Sequence, residues 1–171
     1  PYNASGGNMH TRTTAVICLL IAGLALTACS SSGGDSKSGG KAATASAAYT
    51  AIHSAVPTTK LTVTVTAAND GNHLLGRPHQ YTSAVKFSDS RIKASDVDGL
   101  DKDDVSRGGG IEVFENHDDA QTRADYIQTV MKSLPALSEY DYVSGNTVVR
   151  VSHLLTPDQA GEYKKAAAEL G

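Results

Sequence analysis

Alternation of apolar and polar residues marks several short segments of the chain as β-strands. Residues 61–66 read LTVTVT, a strict alternation of aliphatic residues with Thr that is typical of a half-buried strand. Further segments are rich in the branched and aromatic residues that strands favour. They lie at residues 82–88, 111–115, 140–143 and 147–152. The last two are separated only by Ser-Gly-Asn, which favours a hairpin.

Two segments have the threefold and fourfold apolar spacing of amphipathic helices. The first begins at Asn116, a favoured N-cap, and the acidic Asp118 and Asp119 follow in its first turn. It ends before Pro135. The second begins at Thr156, where Thr-Pro-Asp-Gln supplies an N-cap, a first-turn proline and a capping-box partner, and it continues to about residue 170.

The order of these elements predicts the class of fold. Strands connected by hairpins or loops, without repeated strand–helix crossovers, favour an antiparallel sheet. Two amphipathic helices can bury their apolar stripes on such a sheet. We therefore expect an α+β domain with an antiparallel sheet of about four to five strands and two helices packed on one face.

An apolar segment near the start of the chain has the features of an export signal. Residues 15–29 read AVICLLIAGLALTAC, which is shorter than the roughly 18 to 20 residues of a membrane-spanning helix. Counted from Met9, a basic residue, an apolar stretch and small residues follow in the order of a cleaved signal peptide. We interpret residues 9–28 as that signal, and residues 1–8 as extraneous or as a mis-assigned start.

The end of this segment, Leu-Thr-Ala-Cys at residues 26–29 followed by SSSGGDSKSGG, resembles the lipobox of bacterial lipoproteins. The resemblance implies that the mature chain begins at Cys29 and carries diacylglycerol on its sulfur. Two acyl chains anchor a protein stably to a membrane. An ordinary secretory signal is the alternative. With lipidation, the second of the two cysteines is consumed and the domain has no thiol for disulfides, thiolate metal sites or cysteine catalysis.

Residues 29–57 are rich in Ser, Gly, Ala and Thr, and they have few large apolar side chains. Such a segment gains little from packing, so we expect a flexible tether between the lipid and the domain. The alternative is a weak helix through the Ala-rich part, near residues 42–52. In this interpretation the folded domain comprises residues 58–171.

Several segments of the domain resemble small lipoproteins of streptomycetes and related actinobacteria. They are GNHLLGRPHQYTS, GGGIEVFE, RADYIQTV, YDYV and VVRVSHLLTPDQAGEY, which together span roughly residues 60–170. No activity is established for that family, and it therefore implies no catalytic residues. It implies a lipid-anchored protein on the outer face of a Gram-positive cell membrane.

The charge composition argues against one class of function, nucleic-acid binding. The formal charge of -3 gives no basic surface for nucleic acid. We expect a non-catalytic binding or partner-interaction module of the cell envelope, held to the membrane by its lipid, with a cell-wall or protein partner and no cofactor. The alternative is a cell-envelope hydrolase, or a protein that binds metal or an anion.

The best candidate for a ligand site is the loop of residues 72–81. His73, Arg77 and His79 can donate hydrogen bonds to an anion, and Tyr81 follows them. A polar surface turn is the competing interpretation. Metal binding through these histidines with His117, Asp118 and Asp119 has no diagnostic spacing, and the Asp-rich residues 96–104 do not match a calcium loop.

Ser83 and Lys86 have the Ser-x-x-Lys spacing of penicillin-recognising acyl enzymes. That mechanism needs both side chains on one helix face. In a strand, residues three apart point to opposite faces of the sheet, so we reject this interpretation.

Overall fold

The five strands form one antiparallel sheet in the order β1-β2-β3-β5-β4. The computed structural model describes residues 43–134 and 138–171, which lie within one compact unit, residues 37–171. The strands are β1 Thr59–Thr64, β2 Ser83–Asp89, β3 Gly108–Val113, β4 Glu139–Ser144 and β5 Thr147–Ser152. The helices are α1 Ala45–Ala55, α2 His117–Ser133 and α3 Pro157–Ala168. The predicted α+β class is confirmed.

One face of the sheet forms the main core with α1 and α3. Val85, Ile111 and Val149 are cross-strand neighbours on this face and are at most 1% exposed. The Phe87 ring stacks on the Tyr163 ring of α3 with 5.7 Å between their centroids. Two helices therefore pack on one face, as the fold prediction requires, but one of them is α1.

The other face is covered in part by α2. Ala84 and Val148 point to this side, and they cluster with Ala120 and Ala124 of α2. The expectation that the two helices recognised in the sequence share a face is therefore wrong. Amphipathic spacing shows that a helix has one buried stripe, but not which face of the sheet receives it.

The tether prediction is wrong from residue 45 onward, because α1 is part of the core. Ala45, Ala48 and Ile52 are each at most 1% exposed. The Thr44 hydroxyl caps the helix by accepting from the Ala47 N–H, at 3.2 Å. Small residues at threefold and fourfold spacing allow the helix to approach the sheet closely, and this packing supplies the stability that the segment lacks alone. The alternative of a helix near residues 42–52 describes the segment better.

The predicted starts of α2 and α3 are confirmed. The Asn116 side chain accepts from the Asp119 N–H. Thr156 and Gln159 form a reciprocal capping box. Strand β3 begins three residues earlier than predicted, because the glycines at 108–110 belong to it. A Cβ on Gly109 would lie 2.5 Å from Cζ of Phe87 and would overlap the carbonyl oxygen of Arg150, so this position needs glycine.

Candidate functional site

The loop between β1 and β2 is organised around a buried carboxylate. Asp70 is 5% exposed and accepts from the backbone N–H groups of Asn72, Leu74 and Leu75. The Tyr81 hydroxyl also donates to it, at 2.6 Å. Burial alone would raise the pKa of Asp70, but these hydrogen bonds outweigh it and hold the pKa below its usual value. Burial and the neighbouring Asp70 raise the pKa of Tyr81.

The structure does not gather the predicted site residues into one cavity among the described residues. His73, Arg77 and His79 are exposed, and both histidines have positive φ angles, 54° and 62°. The His79 ring lies 2.9 Å from the Asp119 carboxylate at the start of α2. Tyr81 is 2% exposed and supports the loop from inside. The predicted lipidation site, Cys29, lies outside the described residues.

A cleft of about 350 Å³ opens instead on the second face of the sheet, beside α2. Tyr81 and Asp70 line one side of it. The loop before β3 lines another side with Asp101, Asp103 and Asp104. The sheet itself supplies the floor through Lys86, Glu112, Arg150 and Glu139.

Three ion pairs hold the floor of this cleft together. Glu112 is 1% exposed, and its carboxylate accepts from Arg123 of α2 at 2.8 Å and from Arg150 at 3.0 Å. Arg150 also donates to Glu139 at 2.6 Å. Burial would raise the pKa of Glu112, but the charges of Arg150 and Arg123 outweigh it and hold the pKa below its usual value. Two carboxylates and two guanidinium groups thus neutralise one another.

Lys86 brings a further positive charge to the floor, and its ammonium forms no hydrogen bond or ion pair with any residue that the structure describes. Gly110 is its cross-strand partner, and Arg150 follows Gly110 in the same row. Because Gly110 has no side chain, the lysine lies across β3, and its Nζ would be 3.3 Å from a Cβ at that position. Burial, followed by the charge of Arg150, lowers the pKa of Lys86, against the opposing charges of Glu112 and Glu139.

Asp141 on β4 is the unusual acid of the same sheet face. Its Oδ2 accepts from Gln128 at 2.6 Å, while its buried Oδ1 has no hydrogen-bond partner among the described residues. Burial, and then the charge of Glu139, raise the pKa of Asp141 to about 7, against the opposing effects of Gln128 and Arg150. Near neutral pH this carboxyl group is therefore partly protonated.

The acidic side of the cleft forms no ion pair with a cation among the described residues. Arg107 follows these acids in sequence, but it donates to the backbone carbonyls of Leu100 and Asp101 and not to a carboxylate. Asp104 accepts from the Ser106 N–H. Within the described ranges, no group of three or more His, Cys, Asp or Glu side chains has an arrangement that could hold a metal ion.

The sequence interpretation missed the cleft because its parts come from four strands. The sequence analysis considered Lys86 only because of its spacing from Ser83. The two residues lie on opposite faces of β2, as expected. The available signal was charge at the alternate strand positions 86, 112, 139 and 150, where a sheet face covered by a helix is normally apolar. Pairing those positions requires the strand order, which no local pattern gives.

Comparisons with known proteins assign this chain to no family. The chain matches no protein-family model. Searches of curated proteins and of solved structures return no match either. In the part of the chain that the structure describes, no helix has the length and apolar character needed to cross a bilayer.

Proposed function

We propose that the domain is a non-catalytic binding module that takes up the anionic group of a small ligand at Lys86. The observation that carries the proposal is the unpartnered ammonium on the floor of the cleft. The Lys86 side chain is half-buried, and a charge that is partly withdrawn from water without an ion-pair partner costs free energy. A bound anion would supply the missing partner.

Lys86 is the position on the floor where an anionic group can gain a charged contact. Arg123 and Arg150 form ion pairs with Glu112 and Glu139, whereas Lys86 interacts with these two carboxylates without an ion pair or hydrogen bond of its own. The cleft volume of about 350 Å³ is at the lower end of the range of about 300–1,000 Å³ that small-molecule sites occupy. Both features suit a ligand of modest size with one negative group.

The cellular setting is a second part of the proposal, and it rests on the sequence signals at residues 9–29. An export signal that ends at a lipobox cysteine would attach the module to the outer face of the cell membrane through Cys29. The resemblance to actinobacterial lipoproteins supports the same setting. A ligand would then reach the module from the cell envelope, and a wall or protein partner would meet it there.

The binding proposal is tested with Lys86→Met, which removes the charge and keeps most of the stem. Thermal unfolding of both proteins is followed by circular dichroism at constant ionic strength, with propionate, inorganic phosphate or alanyl-alanine added. We expect at least one of these compounds to raise the Tm of the wild type, because a ligand that binds the folded state stabilises it. The variant should not respond.

Lys60→Met is the matched control, since Lys60 is an exposed lysine on the neighbouring strand β1 and does not line the cleft. It should respond to ligand as the wild type does. An equal response in Lys86→Met, or no response of the wild type to any of the three compounds, would show that the cleft is not an anion site.

The anchor is tested by metabolic labelling with an alkyne fatty acid in cells that express residues 1–171 with Cys29 or with Cys29→Ala. We expect label on the wild type and none on the variant, which should remain an unprocessed precursor or appear in the medium. Continued labelling of Cys29→Ala would contradict the assignment of the lipidated residue.

A further inference from the structure

We infer that the ligand of the cleft is a small zwitterion, an α-amino acid or a short peptide with both termini free. This inference rests on the proposed function, since it assigns the second half of the same ligand. The carboxylate would lie at Lys86, and the ammonium group would lie toward Asp101 and Asp103.

The floor limits the anionic end of the ligand to a single charge. Lys86 is the one cation there without a partner among the described residues, and the carboxylates of Glu112 and Glu139 lie on the same floor. A doubly charged phosphate would gain one ammonium and meet two carboxylates. A carboxylate is a monoanion and matches the one available charge.

The wall of the cleft supplies the opposite charge. Asp101, Asp103 and Asp104 all line it. Arg107 bonds to backbone carbonyl oxygens, and no cation among the described residues forms an ion pair with these carboxylates, although Asp104 accepts from the Ser106 N–H. Lys102 does not line the cleft. Besides Lys86 and Arg150 of the floor, the basic side chain in the lining is His153.

A pure anion that approached Lys86 would therefore pass several negative side chains. Like charges disfavour such an approach, whereas a ligand with its own cation is attracted at both ends. The cation without an ion pair lies on the floor and the acids Asp101 and Asp103 lie on the wall, so a zwitterion can place an opposite charge at each. The modest volume of the cleft suits a molecule of one or two residues.

The test compares three probes that differ in one group each: alanyl-alanine, N-acetyl-alanyl-alanine and alanyl-alanine amide. Calorimetric titration of the folded domain measures the Kd of each. We expect alanyl-alanine to bind about tenfold or more tightly than either analogue, because each analogue loses one charged contact.

Two variants assign the ends of the ligand. Lys86→Met should remove the preference for a free carboxylate. The double variant Asp101→Asn with Asp103→Asn should remove the preference for a free ammonium group and leave binding of the N-acetylated probe unchanged or improved. Asp158→Asn, on an exposed acid of α3, is the control and should leave all three affinities unchanged.

The outcomes separate this inference from the proposal on which it rests. If the N-acetylated probe or propionate binds as tightly as alanyl-alanine, and Lys86→Met abolishes that binding, the inference of a zwitterionic ligand is wrong. The proposal of an anion site at Lys86 is then still supported. If alanyl-alanine binds equally to the wild type and to Lys86→Met, or if no probe binds at all, both are overturned.

Discussion

Asp141→Asn should stabilise the protein, and the gain should depend on pH. Asp141 is a carboxyl group whose pKa is raised to about 7 by burial and by the charge of Glu139. Asn cannot ionise, and its amide imitates the protonated acid. Its oxygen can keep the hydrogen bond from Gln128 at the position of Oδ2. Its NH₂ then occupies the position of the unpartnered Oδ1 and supplies a donor where the carboxylate has only an acceptor.

The size of the effect follows from the pKa difference between the two states. A rise from 3.8 to about 7 is roughly three units, and each unit corresponds to about 1.4 kcal/mol. The full value of about 4 kcal/mol is an upper limit, since the side chain is partly exposed and its protonation depends on that of Glu139. We expect about 2 kcal/mol.

The sign is fixed by which state binds the proton. Below about pH 4 both states of the wild type are protonated, and the variant gains nothing by avoiding ionisation. Between about pH 4 and 7 the unfolded chain loses the proton while the folded chain keeps it, so the wild type loses stability as pH rises. The gain of Asp141→Asn should therefore open across that interval and stay constant above about pH 7.

Urea unfolding followed by far-ultraviolet circular dichroism from pH 4 to pH 8 measures the difference. Asp125→Asn, on the exposed face of α2, is the matched control and should show no comparable gain. A variant that is no more stable than the wild type at pH 8, or whose gain is the same at every pH, would refute the ionisation argument.

Three further substitutions test the packing around the cleft and the helix start, each measured by urea unfolding. Tyr81→Phe removes a buried donor to the Asp70 carboxylate and should cost about 1.5–3 kcal/mol; an unchanged midpoint would show that the loop does not depend on this bond. Gly109→Ala places a Cβ against the ring of Phe87 and should cost about 3 kcal/mol or more, and wild-type stability would contradict the tight approach. Thr156→Ala should cost about 1 kcal/mol through the lost N-cap, and no loss would argue against the cap.

Local signals were sufficient for most elements of the fold. Helix α2 begins where Asn116 caps it, and α3 begins at the Thr156 capping box, because these signals act within three or four residues. The alternation at residues 61–66 placed β1 to within two residues. Each of these predictions depends on interactions close in sequence, which a single chain displays directly.

The errors concern interactions between distant segments. Helix α1 has weak local support and is fixed by burial of Ala48 and Ile52 against the sheet. The cleft depends on the pairing of β3 with β5, which brings Gly110 beside Arg150 across 40 positions of the chain. No residue near Lys86 in sequence indicates that its neighbour across the sheet has no side chain.

The composition of the second sheet face argues that it was not shaped for stability alone. The first face shows that this chain can fill a helix-covered surface with aliphatic and aromatic side chains. Beside α2 the chain instead places three acids and three bases: Lys86, Glu112, Arg123, Glu139, Asp141 and Arg150. Buried ion pairs often contribute no more than apolar packing of the same volume, and an unpartnered ammonium and a raised-pKa carboxyl contribute less. Such perturbed groups concentrate at functional sites. The lower stability of this charged face is explained if a bound ligand supplies the missing partner of Lys86. We then expect Lys86→Met to be more stable than the wild type without ligand and not to respond to ligand.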